Sequence, residues 1–210
     1  MKHYLTALAA GLFTVLQPVQ ADETSKPATK HTEQSVELGP PVGAVIPHDL
    51  STLDADGAAR EFKNLAGEKG IVLVFIRSLD WCTFCQVQTL DITKREAEFE
   101  AKGLNVVFLS YDTPELQTRF KKKSHINPTV LSDPDSEIIK AFGLLNESMN
   151  PKGRYYGAPH PAVFIVNNEM TIAAKLYEED YISNDKSYRN RPKIDFILSA
   201  IDTAAAEGRL

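Results

Sequence analysis

The sequence predicts an α/β protein with a mixed central sheet and helices on both of its faces. Apolar runs rich in β-branched residues alternate with amphipathic stretches of helical character through the middle of the chain. That order is typical of parallel strands joined by crossover helices. Near the end of the chain, the apolar runs 161–166 and 171–177 are separated only by a short polar turn. Such a connection indicates an antiparallel hairpin, so the sheet is predicted to be mixed.

The individual elements follow from local signals. The Asp56-Gly57 pair lies between two short strand-like runs and predicts a hairpin within 50–62. Thr113-Pro114 predicts a helix start, because proline is well suited to the first helical position. The remaining predicted elements are a helical turn at 63–69, a strand at 71–76, a helix at 83–102, a strand at 104–111, a helix at 114–123, a strand at 128–131, a helix at 133–142, a loop at 146–159, a loop at 184–191 and a helix at 192–205.

The first residues have the pattern of an export signal. Lys2 gives a basic start, residues 5–16 form a short apolar core, and Val19 and Ala21 fit the small positions before a cleavage site. The apolar core is too short to span a bilayer, so no stable membrane anchor is expected. We therefore expect 1–21 to be a signal peptide and the mature protein to be periplasmic or secreted, where disulfides persist.

The rest of the chain divides into a linker and one domain. Residues 22–41 are polar, contain Pro, Ser, Thr and Lys, and lack apolar periodicity, which predicts a flexible linker. Residues 42–210 are long enough for a single domain with a real core. The formal net charge of −5 argues against a nucleic-acid partner.

The two cysteines of the chain are Cys82 and Cys85, directly after the strand at 71–76. A helix that begins near Thr83 places Cys82 at its N-terminus and Cys85 one turn further on. Free N–H groups and the helix dipole favour a thiolate there, and two cysteines at this spacing can close a disulfide. The pair therefore predicts redox chemistry, with one thiol as the nucleophile and the other resolving its mixed disulfide.

Other uses of a cysteine pair fit the sequence less well. A structural zinc site usually needs four ligands and there is no second pair, while Gln86 stands where a c-type haem site needs His. A disulfide closing so small a loop would constrain little of the unfolded chain. Metal binding by both thiols and a distant His stays open as an alternative. No organic cofactor is implied.

The stretch Trp81-Cys82-Thr83-Phe84-Cys85 after a buried strand resembles the active site of thioredoxin-fold proteins. Pro161, at the start of the strand 161–166, resembles the cis-proline that faces those cysteines. The resemblance covers about 42–201 and implies a thioredoxin-like fold with an N-terminal β-hairpin extension. The additional strand and helix at 128–142 resemble the redoxin branch, which holds the alkyl hydroperoxide reductase and thiol-specific antioxidant proteins and the exported disulfide reductases.

The sequence also resembles the peroxiredoxin pattern Pro-Leu-Asp-Phe-Thr-x-x-Cys at residues 78–85. In that register Cys85 takes the peroxide-reacting position, Cys82 replaces the threonine and Ser78 replaces the proline. The arginine that peroxiredoxins place before their later strand is missing near Pro161. Arg77 and Arg154 are the candidates to replace it.

Three residues are candidates for contact with substrate. Trp81 offers an apolar platform beside the cysteines. The His160 side chain has two possible roles: it holds the Cys82 thiolate by charge or by a hydrogen bond, or it is an ordinary loop histidine. The resemblance also implies that the backbone around His160 and Pro161 pairs with a substrate chain.

The resulting hypothesis is an exported thiol–disulfide oxidoreductase with catalytic Cys82 and Cys85 and a role in antioxidant defence. Its substrates would be disulfides or thiols of proteins or small molecules, and it would need an external redox protein as electron donor. The first alternative is a peroxiredoxin-type thiol peroxidase, in which Cys85 forms a sulfenic acid and condenses with Cys82. The second is a copper metallochaperone that uses both thiolates and His160.

Overall fold

A seven-stranded mixed sheet forms the centre of the computed structural model, which describes residues 37–181 and 184–210. The strands are β1 (Thr52–Asp54), β2 (Ala59–Arg60), β3 (Gly70–Phe75), β4 (Leu104–Ser110), β5 (Val130–Ser132), β6 (Ala162–Asn167) and β7 (Ile172–Leu176). The helices are α1 (Phe62–Leu65), α2 (Thr83–Lys94), α3 (Glu96–Glu100), α4 (Pro114–Ser124), α5 (Glu137–Ala141) and α6 (Ile194–Ala206), and a 3-10 helix spans Asp185–Arg189.

The strand order is β2-β1-β5-β4-β3-β6-β7. Strand β4 pairs in parallel with β3 and β5, whereas β6 pairs antiparallel with both β3 and β7. The predicted mixed sheet is therefore confirmed, and so is the C-terminal hairpin. The predicted N-terminal hairpin is also confirmed, and it extends the sheet because β1 pairs with β5.

Strand β3 is buried along its whole length because helices cover both faces of the sheet. Its side chains divide by alternation, with Val72 and Val74 in one apolar cluster and Leu73 and Phe75 in the other. The first cluster includes residues of α2, α3, α4 and α6, and the second includes residues of α1 and α5. This two-sided burial explains why the run is continuously apolar.

The predicted helix at 83–102 is two helices with a break at Arg95. The backbone of Arg95 leaves the helical region, and its guanidinium bonds Glu98 of α3 and Asp195 of α6. After the break, α3 packs on β4 and Phe99 is fully buried. The change of direction thus brings a large aromatic side chain into the core.

The packed part of the chain begins earlier than predicted. Leu38 is buried in the second cluster, and the ammonium group of Lys175 donates to the carbonyls of Leu38 and Pro40. The end of the predicted linker at residue 41 is therefore corrected, since 37–41 lies on the domain. The predicted signal peptide 1–21 and the linker residues 22–36 lie outside the described residues. Within the described ranges, no helix has the length and apolar character needed to cross a membrane.

Candidate active site

The two cysteines lie where β3 leads into α2. Cys82 is the N-cap of α2, and its Sγ accepts a hydrogen bond from the Cys85 N–H at 3.2 Å. The two Cα atoms are 5.2 Å apart and the side chains form a disulfide. Only 2% of Cys82 and 0% of Cys85 is exposed to solvent. The cysteines thus occupy the helix start that the sequence predicts, in a buried setting.

A buried carboxylate holds the turn that carries the cysteines. Asp112, which follows the carboxyl end of β4, accepts hydrogen bonds from the Ser78 hydroxyl at 2.7 Å and the Leu79 N–H at 2.6 Å. Burial raises the pKa of Asp112, and these hydrogen bonds oppose that shift. Asp112 directly precedes the predicted helix start at Thr113-Pro114 and was not predicted to be a site residue. The available signal was its position, since polar residues after adjacent parallel strands meet at one sheet edge.

Two guanidinium groups contact the sulfur atoms. Arg77 Nη2 lies 3.7 Å from Cys82 Sγ. Arg191 Nη2 lies 3.8 Å from Cys82 Sγ and 3.4 Å from Cys85 Sγ. The cysteines therefore lie in a positively charged environment made by two separate parts of the chain.

Arg77 is held between two aromatic rings. Its guanidinium carbon is 5.0 Å from the Trp81 ring centroid and 5.1 Å from that of Tyr188, distances at which cation–π attraction is effective. Burial lowers the pKa of Arg77, but an arginine keeps its proton in proteins. The rings thus fix a permanent positive charge beside Cys82.

Arg191 reaches the cysteines from the segment after the 3-10 helix. Its Nη1 donates to the Tyr188 carbonyl at 2.7 Å. The pKa of Arg191 is lowered by burial and further by the charge of Arg77. Residues 184–191 were predicted to be a polar loop, and Arg191 was not predicted as a site residue, because nothing local in the sequence indicates a contact with cysteines more than a hundred positions away.

Of the two arginines proposed as replacements for the peroxiredoxin arginine, Arg77 contacts Cys82 and Arg154 does not. The Arg154 guanidinium lies 4.7 Å from the Tyr155 ring, and its carbonyl accepts from the Tyr111 hydroxyl. Trp81 is partly exposed beside the cysteines, donates to the Tyr111 hydroxyl at 2.8 Å and lies 4.6 Å from Tyr155. Trp81 is thus held rigidly at the edge of the site.

His160 is buried and contacts Tyr188 rather than a cysteine. Its Nδ1 is 2.8 Å from the Tyr188 hydroxyl, which also accepts from Asn146 at 3.1 Å. Burial lowers the pKa of His160 to about 4. No hydrogen bond joins His160 to either sulfur in the described ranges, and those ranges hold no group of three or more His, Cys, Asp or Glu suited to a metal ion. The copper alternative therefore lacks its third ligand.

Pro161 is buried directly before β6. The peptide bond before it was expected to be cis, but no peptide bond of the described residues is cis. The preceding segment is held by other pairs. The His160 N–H donates to the Leu144 carbonyl at 2.7 Å, and Pro159 forms a bridge with Leu145. This part of the resemblance to thioredoxin is wrong.

Comparison with known proteins places the chain among peroxiredoxins. The pattern of the AhpC/TSA family matches residues 42–175. Peroxiredoxin Bcp of Escherichia coli is 28% identical over 123 residues, which is 59% of this chain and 77% of the relative. Peroxiredoxin bcp1 of Schizosaccharomyces pombe is 32% identical over 111 residues, 53% of this chain and 56% of the relative.

Solved structures agree with the fold. A peroxiredoxin-like protein from Aquifex aeolicus superposes with a TM-score of 0.62 at 24% identity, covering 80% of this chain and 92% of that one. Peroxidoxin BcpB from Mycobacterium tuberculosis gives a TM-score of 0.61 at 16% identity, with 80% and 98% covered. The predicted thioredoxin-like fold of the redoxin branch is confirmed, and the relatives support the predicted class of a thiol-dependent oxidoreductase. With its matched segment spanning the sheet and both cysteines, the chain belongs to the AhpC/TSA family.

Proposed function

We propose that the protein is a peroxiredoxin-type thiol peroxidase that reduces hydroperoxides. The observation that carries the proposal is the pair of guanidiniums on the two sulfur atoms. Cleavage of a peroxide O–O bond by a thiolate places negative charge on the departing oxygen. Fixed cations in a buried site stabilise such developing charge far better than water does. The family membership of the chain supports the same reaction.

In the proposed cycle, the Cys85 thiolate attacks one oxygen of the hydroperoxide. The O–O bond breaks, the other oxygen leaves as an alcohol or water after protonation, and Cys85 becomes a sulfenic acid. The Cys82 thiol then attacks the Cys85 sulfur, water leaves, and the Cys82–Cys85 disulfide forms. Two reducing equivalents from an external thiol return both cysteines to the reduced state.

Cys85 is the proposed peroxide-reacting residue for two reasons. It takes that position in the peroxiredoxin register, and the guanidinium nearest to either sulfur is that of Arg191, at 3.4 Å from Cys85 Sγ. Cys82, at 3.2 Å from the Cys85 N–H, is close enough to resolve the sulfenic acid without a large movement.

The burial of both sulfurs supports a small oxidant. A disulfide in a folded protein must bring its own sulfur to the attacking thiolate, which is difficult when 2% or less of each cysteine is exposed. A hydroperoxide needs only two oxygen atoms in the site. This observation favours the peroxidase over the exchange of protein disulfides that the sequence predicts.

The remaining parts of the proposal rest on sequence. We keep Trp81 as the proposed contact for the organic part of a substrate. His160 and Pro161 are buried, so they would support the residues around the site rather than touch the substrate. Export with removal of residues 1–21 is also proposed, from the composition of the first residues. The mass of the protein recovered from its native cells would test this cleavage.

Stopped-flow fluorescence of Trp81, the single tryptophan, tests the peroxidase. Fully reduced protein is mixed with hydrogen peroxide, with an organic hydroperoxide, or with glutathione disulfide. We expect both hydroperoxides to react much faster than the disulfide. In Cys82→Ser, a sulfenic acid should accumulate on Cys85 and be trapped by dimedone, as mass spectrometry of the peptides would show.

Cys85→Ser is the matched control and should lose the fast reaction with peroxide. Retention of that reaction, with dimedone on Cys82, would overturn the assignment of the two thiols. Slow reaction of the wild-type protein with every hydroperoxide, together with fast reaction with glutathione disulfide, would replace the peroxidase by a disulfide reductase.

A further inference from the structure

We infer that the Cys82–Cys85 disulfide is a strong oxidant of small monothiols, because Arg77 and Arg191 stabilise the reduced thiolate form and not the disulfide. The inference deepens the proposed function, on which it rests for the source of the disulfide, by naming the class of reductant. It also assigns a direction to the thiol–disulfide exchange.

Carboxylates compensate little of the positive charge of Arg77 and Arg191. No carboxylate forms an ion pair with Arg77 or Arg191 in the described part of the chain. The Glu178 carboxylate attracts Arg191 electrostatically but lies beyond ion-pair distance. The other partners of Arg77 are the faces of Trp81 and Tyr188. Arg191 donates to the backbone carbonyls of Tyr188 and Asn190 and lies close to the Tyr181 side chain.

Oxidation of the cysteines removes negative charge from beside the two arginines. The Nε atoms of both arginines are buried without a hydrogen-bond acceptor, and the two like charges repel one another. In the reduced protein, a thiolate lies against both guanidiniums and neutralises part of their charge. In the disulfide the sulfurs are neutral, so this compensation is lost. Charge-assisted contacts thus favour the reduced form selectively.

A disulfide whose reduced form is selectively stabilised has a high reduction potential and gives up its oxidising equivalents readily. The N-terminus of α2 adds to the effect, because Cys82 Sγ accepts the Cys85 N–H. Thiols of ordinary reducing power, such as glutathione, would then reduce this disulfide.

The geometry also gives the order of the exchange. A thiolate of the glutathione class attacks Cys82 Sγ, the S–S bond breaks, and Cys85 leaves as a thiolate beside Arg191, 3.4 Å away. A second thiolate attacks the outer sulfur of the mixed disulfide, releasing Cys82 as a thiolate and the small disulfide as product. Two thiols are oxidised and one disulfide is reduced. Cys85 is regenerated in the form that attacks peroxide.

Burial selects small thiols over cysteines of folded proteins. Cys82 is 2% exposed and Cys85 is fully buried, so Cys82 is the sulfur that an external thiol can approach. Trp81 and Arg77 restrict the space around it. A monothiol on a short flexible chain meets this restriction, whereas a cysteine in a rigid protein surface does not.

The test is an equilibrium measurement without peroxide. Oxidised full-length protein is incubated anaerobically with mixtures of reduced and oxidised glutathione, and the reduced fraction is read from Trp81 fluorescence and from mass after acid quenching. Arg77→Met and Arg191→Met are compared with wild type. Each should shift the equilibrium toward the disulfide by about tenfold, which is about 30 mV for a two-electron couple.

Two further variants separate charge from structure. Arg191→Lys keeps the charge and should show a clearly smaller shift than Arg191→Met. Arg189→Met removes an exposed arginine at the end of the 3-10 helix, two residues before Arg191, and should leave the equilibrium unchanged. Circular dichroism would confirm that each variant is folded. If Arg77→Met does not fold, the comparison of Arg191→Met with Arg191→Lys decides alone.

An equilibrium that is unchanged in the Met variants, or shifted toward the reduced form, would overturn the inference. A wild-type disulfide that resists a large excess of glutathione would do the same. Failure of the peroxidase is a separate result, because it would be seen as slow oxidation of the reduced protein by hydroperoxides while this equilibrium stayed as inferred.

Discussion

His160 is a neutral, buried histidine that supports the aromatic wall of the active site. It bonds the hydroxyl of Tyr188, whose ring stacks on Tyr181 at 4.8 Å and covers Arg77. Protonation of His160 would place a positive charge in this buried region. Burial accordingly lowers its pKa to about 4.

This shift predicts a specific loss of stability in acid. The unfolded chain binds a proton at His160 below about pH 6.5, whereas the folded chain binds it only near pH 4. The unfolded state therefore binds more protons in this window, and stability falls as the pH is lowered through it. The total contribution is about 3 kcal/mol, from about 1.4 kcal/mol per pKa unit.

Urea denaturation at a series of pH values measures this contribution. In His160→Gln the fall in unfolding free energy between pH 6.5 and 4 should be smaller by most of that amount. His125→Asn, at an exposed position after α4, serves as the control and should keep the wild-type profile. Equal pH profiles for wild type and His160→Gln would contradict the prediction.

At the scale of residues, the sequence predicted the parts of the site that are local in the chain. Cys82, Cys85 and Trp81 lie together because a strand, a turn and a helix start place them there. Asp112 and Arg191 were not predicted as site residues, because both arrive through the packing of distant elements. Arg77 was recognised only as one of two candidates, since its contact with Cys82 depends on the rings of Trp81 and Tyr188.

At the scale of elements, the start of β3 depends on a glycine. Gly70 has φ +143°, and a Cβ built on it would lie 2.0 Å from the Val166 carbonyl oxygen of β6. The two backbones pair directly there, with Gly70 opposite Asn167. A side chain could fit only if the strands moved apart.

Gly70→Ala should therefore destabilise the fold by about 3 kcal/mol or more, because both the steric overlap and the positive φ oppose it. Gly57→Ala is the matched control. Gly57 has φ +79° in the turn between β1 and β2 and has no atom near the added Cβ, so it should cost only about 1 kcal/mol. Chemical denaturation compares the two, and equal losses would show that the contact with β6 does not matter.

The elements were predicted well where the pattern has one physical cause. The continuous apolar run of β3 reflects burial on both faces, and the polar turn between β6 and β7 fixes a hairpin. The break at Arg95 was not predicted, because residues 83–102 keep helical character throughout and the break follows from packing on β4 and α6. The 3-10 helix at Asp185–Arg189 lies in a polar stretch whose apolar contacts come mainly from Tyr188.

At the scale of the whole molecule, the residues just before the sheet are part of the stabilising core. Leu38 is 6% exposed, and the Gly39 backbone lies so close to the Phe164 ring that a Cβ there would be 2.7 Å from it. The side chain of Lys175 is 9% exposed and pairs with Glu37. The segment 37–41 thus packs against β6 and β7 at the Phe164–Lys175 pair.

A protein that starts at residue 42 should be less stable than one that starts at residue 37. Loss of the buried Leu38 side chain alone removes about 1.5–3 kcal/mol. Thermal and chemical denaturation of the two shortened proteins would measure the difference. Leu38→Ala in the full-length chain should reproduce most of it. Equal stability of both shortened proteins would show that 37–41 contributes nothing.

The overall architecture was predictable because strand and helix order restricts the possible folds strongly. The domain boundary was not, since 37–41 contains a single large apolar residue and no periodicity. Such a segment is indistinguishable from a linker until the surface on which it lies is known.

The position of Arg191 makes the environment of the cysteines depend on the C-terminal part of the chain. This arginine lies 106 positions after Cys85, so it reaches the cysteines only when the C-terminal segment has docked. A chain whose C-terminal segment is undocked lacks one of the two cations beside its sulfur atoms. The positive environment of the cysteine pair therefore depends on a docked C-terminal segment, although the cysteines themselves lie in the first half of the chain.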